Sequence, residues 1–361
     1  MRQEIVSIVV YFYIFICIAL LVFNIAYIAY SKQHQTRNRK LIKKMKKFQF
    51  QILNQNVREL TAKQKKYLIR RLKKTDGLEA FSKSLEENKK ELSEEANDQY
   101  LVIGREVFVE LTKIYCHRPV MERAFWASFV ADYFGNVKDH FQRMGELFLF
   151  YFRDSTIYCR ENVLRALYVI GKPEDIKRAL QIMQAYGWYH HPRLISDGMM
   201  IFKGDKEALV RYLWSNDEWS QGIKIALIQF MTNVSDSFTD LMMNSINVED
   251  EEVQFAAIRY FERHPSEKVK SKLIEIVESE REPAVAAVLA LSVYKDEETK
   301  AVLNKAMVSF NWNIRKNAAL ALLKMGLSPE EEEALKNHPD RYAREMFDYV
   351  LESGGRKEGE K

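Results

Sequence analysis

A short helical pattern that recurs along the chain limits what this sequence can fold into. Its clearest copy, residues 314–326, reads Ile-Arg-Lys-Asn-Ala-Ala-Leu-Ala-Leu-Leu-Lys-Met-Gly. One helical face of this copy carries only apolar or small side chains, at Ile314, Ala318, Ala321, Leu322 and Met325. Gly326 supplies a C-terminal stop, and the following Leu-Ser-Pro starts another helix. Because apolar character extends most of the way round, this helix needs neighbours on more than one side.

The same pattern is found again at intervals before this copy. Residues 159–171 form the closest repeat, with Arg in second place and Gly last, as in residues 314–326. Weaker copies begin near Val120, His190, Trp219, Val253 and Pro283. From Cys159 to Ile314, successive starts lie about 29 to 34 residues apart, and a period of this length indicates an array of helical repeats. The low content of Gly and Pro, 13 and 7 residues, also favours an all-helical chain.

The run Ile-Arg-x-x-Ala-Ala-x-Ala-Leu resembles the second helix of a HEAT repeat, as found in many bacterial HEAT-like proteins. The resemblance extends from Val120 to about Val350 and implies an α-solenoid of stacked helix pairs, which we place at residues 101–352. HEAT repeats often carry an Asp about five residues before the hydrophobic-Arg pair, where it ties one repeat to the next. Asp154 matches that position, whereas Ser309 and Val248 stand at the equivalent places. We therefore expect repeats held mainly by apolar stacking, with irregular curvature.

The N-terminus has the features of a membrane anchor. Residues 5–30 contain no charged side chain, and a helix of that length, about 39 Å, exceeds the roughly 30 Å apolar thickness of a bilayer. Residues 32–47 carry eight basic residues and no acidic one. The positive-inside rule then predicts a single-pass anchor at residues 1–31 in the plasma (inner) membrane, with the N-terminus outside and the bulk of the chain in the cytoplasm. A cleaved signal peptide is the alternative, although the basic block is typical of a stop-transfer sequence.

Charge is distributed unevenly along the chain. Between Lys32 and Lys74 sixteen Lys or Arg stand against the single acidic residue Glu59, although the whole chain carries only +5. One interpretation is that this segment lies on anionic lipid headgroups, and the residues predicted to do so are Lys40, Lys43, Lys44, Lys46 and Lys47. The alternative is a stop-transfer block that leads into the first amphipathic helix of the array. Both remain open from the sequence.

The remaining segments are assigned from composition. Residues 32–100 are predicted to form the basic juxtamembrane segment followed by acidic helices or a linker, because apolar residues are sparse between Leu78 and Tyr100. The density of large side chains rises from Leu101, where we place the start of the array. The tail at residues 353–361 is predicted to be disordered.

No motif in the sequence points to catalysis. Phosphate-binding loops, nucleophile elbows and metalloprotease or kinase signatures are missing from the sequence. The pairs Cys116-His117 and His190-His191 lack the spacing of a zinc site. We predict no cofactor, no metal, no catalytic residue, no nucleic acid and no small-molecule substrate. HEAT-like enzymes exist among lyases and DNA glycosylases, but the resemblance here does not extend past the repeats.

The predicted anchor, the predicted solenoid and the lack of catalytic motifs together favour a membrane-anchored scaffold or adaptor over an enzyme. Its expected partner is a protein at the membrane, for example a glycosyltransferase or transporter complex, gripped by the second helices of the repeats. The candidate partner-binding residues are Arg160, Arg165, Trp219, Lys224, Arg259 and Arg315. Trp188, Trp214, Trp312, Tyr186 and Tyr189 would mark a binding surface if several of them were exposed together. A sensor of anionic lipid surfaces and an enzyme of HEAT-like fold remain the alternatives.

Overall fold

The chain is all-helical, as predicted. A computed structural model describes residues 2–55, 57–215 and 218–358, and within these ranges it contains twenty α-helices, two short 3₁₀ helices and no strand. The helices fall into two compact units, with the boundary between Asp175 and Ile176.

The first unit surrounds an aromatic core. The ring of Trp126 stacks on Tyr115 with centroids 5.0 Å apart, and its Nε1 donates a hydrogen bond of 3.1 Å to Oγ1 of Thr112. Phe108 and Phe141 extend this core, and all five side chains are fully buried. The helices of the unit are α1 (Arg2–Asn54), α2 (Ala62–Leu72), α3 (Thr75–Glu91), α4 (Glu94–Ile103), α5 (Arg105–Cys116), α6 (Val120–Tyr133), α7 (Arg143–Leu149) and α8 (Ile157–Ile170), with 3₁₀ turns at Gly135–His140 and Phe150–Phe152.

Helix α1 joins the candidate anchor to the first unit without a break. It contains the one stretch of the described residues that is long and apolar enough to cross a membrane, a property that signal sequences share. The side chains described between residues 12 and 30 are almost all exposed, whereas Ile42, Met45 and Ile52 are buried against α3 and α4. The predicted boundary at residue 31 therefore lies inside a continuous helix.

The acidic segment packs more closely than its sequence suggests. Leu78, Phe81 and Leu85 of α3 are buried, so α3 is half-buried where the sequence predicted an exposed helix or a linker. Amide side chains form hydrogen bonds where α1 packs against α3 and α4. Gln49 accepts a hydrogen bond of 2.6 Å from Asn88 and donates one to Asn97. These buried polar residues resemble surface residues in the sequence, and the folded region was therefore predicted to begin only at residue 101. That position lies inside α4.

The second unit repeats one packing relationship. Helix α12 packs against α10 and α14, and contacts of the same kind join α14 to α16, α16 to α18 and α18 to α20. Each of α11, α13, α15, α17 and α19 packs against the helix that follows it. The helices are α9 (Pro173–Ala185), whose first turn holds the boundary between units, α10 (Pro192–Met199), α11 (Lys206–Trp214), α12 (Gln221–Val234), α13 (Thr239–Ser245), α14 (Glu251–Arg263), α15 (Glu267–Glu278), α16 (Ala284–Leu291), α17 (Glu297–Ala306), α18 (Trp312–Met325), α19 (Pro329–Lys336) and α20 (Arg341–Glu358).

The observed helix starts agree with the sequence period. All seven predicted copies begin within two residues of the start of α6, α8, α10, α12, α14, α16 or α18. The predicted stop signal after α18 and start signal of the next helix are also present. Gly326 ends α18 with φ of 85°, and Ser328 forms a capping box with Glu331 at the start of α19.

The side chain of Asp154, the one residue that matches the tie position in the sequence, contacts no other repeat among the described residues. That residue has φ of 49° in the turn before α8, and its side chain is exposed, 3.8 Å from Nε of Arg153. The turn is held from the other side by the buried Arg123, whose Nη1 donates a hydrogen bond of 2.7 Å to the carbonyl of Arg153. The carbonyl of Arg153, rather than the carboxylate of Asp154, therefore joins this turn to α6.

The predicted disordered tail overlaps the last helix. The backbone of α20 is helical as far as Glu358, and residues 359–361 of the tail lie outside the described residues.

Candidate partner-binding surface

The structure gives two of the predicted contact residues local structural roles. Arg160 Nη1 donates a hydrogen bond of 2.7 Å to the carbonyl of Ser155, in the turn before α8. Arg165 is exposed on α8, and its Nη2 lies 3.0 Å from Oδ1 of Asp132 on α6. The pair is solvent-exposed, so it contributes on the order of 1 kcal/mol or less to stability.

The other predicted residues are spread over the second unit. Trp219 is buried, and its Nε1 donates a hydrogen bond of 2.8 Å to the carbonyl of Leu213. Lys224 is half-buried on α12. Arg259 is exposed on α14, with its guanidinium 4.9 Å from the ring centre of Phe255. These three side chains are not joined by any contact that the structure shows among the described residues.

Arg315 fixes the turn that precedes α18. Its Nη1 donates hydrogen bonds to the carbonyls of Ser309, at 2.6 Å, and Phe310, at 3.2 Å. Arg344 makes the same kind of contacts with the carbonyls of His338 and Pro339 before α20. The Arg in second place of the repeat pattern therefore donates hydrogen bonds to carbonyl groups that its turn would otherwise leave unpaired.

The turn held by Arg315 carries the most exposed aromatic side chain in the described residues. Phe310 is 97% exposed, although Ser309 before it is buried. Three further aromatic residues lie on the adjoining helices α18 and α20, and the rings of Trp312 and Tyr349 have centroids 6.2 Å apart. We call the four residues the aromatic cluster. Its members besides Phe310 are Trp312, Tyr342 and Tyr349, which are 46%, 63% and 49% exposed.

Two cations lie over these rings. The guanidinium carbon of Arg315 is 5.6 Å from the ring centre of Tyr342, and Nζ of Lys316 is 5.0 Å from that of Trp312. The distances are within the range of cation–π attraction. The surface thus combines exposed apolar rings with two positive charges.

A second aromatic group lies at the other end of the second unit's sequence. Tyr186 stacks on Trp188 with ring centroids 4.6 Å apart, and Tyr186 and Tyr189 are exposed. Trp188 and Tyr189 line a cleft of about 650 Å³ beside α10 and α12. Trp214 is half-buried on α11. Of the aromatic residues singled out in the sequence, Tyr186, Tyr189 and Trp312 are exposed. Phe310, Tyr342 and Tyr349 are exposed too, but the sequence did not single them out.

The five lysines predicted to face lipid do not share one environment. Lys40, Lys43, Lys44 and Lys47 are exposed on α1. Lys46 instead faces α3, where its Nζ lies 2.7 Å from Oε1 of Glu91 and 3.1 Å from Oε2 of Glu87. The hydrogen bond to Glu91 raises the pKa of Lys46, so this charge is compensated within the protein.

Apolar residues of α2, within the basic segment, are buried inside the first unit. Leu68 and Leu72 of α2 are fully buried, and α2 packs against α3 and α5. Thr61 caps α2 through a capping box with Gln64. These contacts favour the interpretation of α2 as the first amphipathic helix of a folded unit.

Side chains with chemical reactivity are scattered. Within the described ranges no group of three or more His, Cys, Asp or Glu is placed to hold a metal ion. Cys159 is buried, and burial raises the pKa of its thiol, which disfavours the reactive thiolate. His191 caps α10 by accepting a hydrogen bond of 3.2 Å from the backbone N–H of Arg193.

Comparison with known proteins identifies no family for this chain. No family model matches the chain, and no curated protein matches it. Three solved chains do match, and one of them is a crystal structure described as an engineered protein. It is 15% identical, covers 87% of this chain and 95% of its own length, and superposes with a TM-score of 0.35, too low to support an argument.

Proposed function

We propose that this chain is a membrane-anchored scaffold that binds a partner protein through the aromatic cluster. The observation that carries the proposal is the 97% exposure of Phe310 on a turn held by hydrogen bonds. Burying a side chain of this size stabilises a protein or a complex by about 1.5–3 kcal/mol. Phe310 does not gain this stabilisation within its own unit, because it is exposed there. Exposed aromatic anchors of this kind are enriched among the residues that dominate protein–protein binding.

The turn that presents Phe310 is preorganised. The backbone N–H of Asn311 donates a hydrogen bond of 3.2 Å to Oγ of Ser309. Oδ1 of Asn311 in turn accepts one of 2.9 Å from the backbone N–H of Asn313, which caps α18. Together with Arg315, these contacts fix the backbone on both sides of Phe310. A partner would therefore lose little free energy in ordering this loop.

The chemistry of the cluster indicates the kind of partner. Its rings offer apolar area, and the ammonium of Lys316 and the guanidinium of Arg315 offer positive charge beside them. A protein segment with apolar side chains flanked by carboxylates would complement both features. The contacts that join α10 through α20 support a HEAT-like stack of helix pairs in the second unit, in which α18 is one of the second helices.

The apolar stretch of α1 supports a location at the membrane. We infer a single-pass anchor in the plasma (inner) membrane with the N-terminus outside, because the eight basic residues after it would remain on the cytoplasmic side. The partner is then an integral membrane enzyme or transporter, such as a glycosyltransferase. Protease added to intact cells is expected to spare both helical units. Digestion of these units from outside would contradict the orientation, and a mature chain lacking residues 1–30 would contradict the anchor.

A photo-crosslinking amino acid in place of Phe310 tests the partner. In intact cells it is expected to form a discrete crosslinked product with a membrane protein, because the side chain lies at the centre of the proposed contact. The same amino acid in place of the exposed Tyr158 of α8 is the matched control. Crosslinks from residue 310 to no protein, or to the same proteins as from residue 158, would contradict the proposal.

A further inference from the structure

A basic cavity in the first unit lies beside the end of the apolar stretch. It has a volume of about 410 Å³ and is formed by α1, α2 and the start of α3. Six of its lining residues are Lys or Arg, and one, Asp76, is acidic. We call it the basic cavity, and its six cationic residues are Arg37, Lys40, Lys44, Arg70, Arg71 and Lys74.

The positive charge of the basic cavity is not compensated within the described part of the chain. None of the six cations forms an ion pair with a described carboxylate, Asp76 included. Neighbouring lysines that face the core behave differently, since Lys46 pairs with Glu87 and Glu91, and Lys65 pairs with Glu106. Like charges gathered in a concave site repel one another, and a bound anion would relieve that repulsion.

One further feature of the basic cavity suits an anion with oxygen atoms. The N-terminus of α3 opens at the cavity, and its N-cap residue, Lys74, provides no side-chain hydrogen bond to the first-turn N–H groups. Such groups attract phosphate oxygens.

Only the membrane-proximal end of the basic cavity, at His34, lies at the depth of the lipid headgroups. Because α1 is one continuous helix, Arg37 and Lys44 lie about 10 and 21 Å along the axis beyond Tyr30, the last residue of the uncharged stretch. The headgroup layer is about 5–8 Å thick on each side of the apolar core. A headgroup phosphate can therefore approach the cavity only from its membrane-proximal end, near His34 and Arg37, whereas a soluble phosphate compound can enter from the aqueous side.

We propose that the basic cavity is a binding site for a phosphate-bearing anion with at least two negative charges, supplied by a lipid headgroup or by a soluble phosphate compound. The site is separate from the aromatic cluster, and the proposal does not depend on a partner protein. Arginine forks at positions 37, 70 and 71 can bind phosphate oxygens in pairs, while Lys40, Lys44 and Lys74 add charge. Occupancy would hold α2 and α3 against α1.

Two triple variants that remove the same charge test the site. The cavity variant combines Arg37→Gln, Lys40→Gln and Arg70→Gln. The control variant combines Arg39→Gln, Lys43→Gln and Lys47→Gln, three exposed residues of α1 that do not line the cavity. Binding of dihexanoyl phosphatidic acid and of inorganic pyrophosphate is measured by thermophoresis on the full chain in neutral detergent. Far-UV circular dichroism confirms that each variant is folded, and Arg37→Gln alone replaces the cavity variant if that variant is not.

The cavity variant is expected to bind at least one probe about tenfold more weakly than the parent, and the control variant within about twofold, because only the former loses direct contacts. Selective loss for phosphatidic acid alone assigns the site to lipid, and selective loss for pyrophosphate alone assigns it to a soluble anion. Equal weakening by both variants would show that only total charge matters. The proposal would be overturned by that result, by no weakening in either variant, or by a parent that binds neither probe.

Discussion

Replacing Ala318 by Asp is expected to lower the free energy of unfolding by about 3 kcal/mol or more. Ala318 is fully buried on α18, the helix that packs against α16, α17 and α20. A carboxylate at this position would lose its hydration, and the buried face around it is formed by Ala and Leu side chains such as Ala321 and Leu322. The charge would be stable only if these helices moved apart.

Leu320→Asp provides the matched control, because Leu320 is exposed on the same helix. The same new charge there stays in contact with water, so we expect a smaller loss than for Ala318→Asp, about 1–2 kcal/mol from lost apolar contact and helix propensity. Urea unfolding of the full chain in detergent, followed by far-UV circular dichroism, measures both variants against the parent. If the two variants unfold at the same urea concentration, the buried face assigned to α18 is wrong.

The helices could be predicted because their signals are local. The copies that begin near Val253 and Ile314 place apolar residues at helical spacing, and the structure begins α14 and α18 within two residues of them. Caps are similarly local, since Thr61 and Ser328 each reach only three residues ahead. The period and the capping residues thus determine where most helices of the second unit start.

The extent of the folded region could not be predicted in the same way. The contact of α1 with α3 and α4 includes the buried amides Gln49, Asn88 and Asn97, which are polar residues that normally lie on the surface. Their burial is made possible by hydrogen bonds across 39 and 48 residues of sequence. No local pattern shows such pairing, so the segment before residue 101 resembled a linker.

Of the residues at the aromatic cluster, the sequence singled out Arg315 and Trp312 but not Phe310. Arg315 was a candidate partner-binding residue, and the structure uses its Nη1 to hold the turn that presents Phe310. The exposure of Phe310 depends on the conformation of that turn. A Phe in a hydrophobic stretch is otherwise expected to be buried, so sequence alone gives no reason to single it out.

The pairing of charged residues in the basic segment also could not be predicted from the sequence. A count of lysines predicts attraction to anionic lipid but cannot say which of them are paired. Lys46 bonds to Glu91, forty-five residues later in the chain, whereas Lys40 and Lys44 line the basic cavity. This difference depends on which face of α1 packs against α3.

Loss of the aromatic cluster is expected to have the largest effect on function. The double variant Phe310→Ser with Tyr342→Ser removes two exposed rings, and truncating one of the few residues that dominate a protein interface costs about 2 kcal/mol or more. The dissociation constant of the partner is therefore expected to rise at least about thirtyfold. The matched control is Tyr186→Ser with Tyr189→Ser, which removes two exposed rings elsewhere in the second unit.

The most direct measurement is the dissociation constant between the full chain in detergent and the membrane protein crosslinked from residue 310. We expect the parent and the Tyr186/Tyr189 control to bind that protein within about threefold of each other, a difference below 1 kcal/mol. The Phe310/Tyr342 variant should bind it at least about thirtyfold more weakly. Equal binding by all three proteins, or equal loss in both variants, would contradict the assignment of the aromatic cluster as the partner-binding surface.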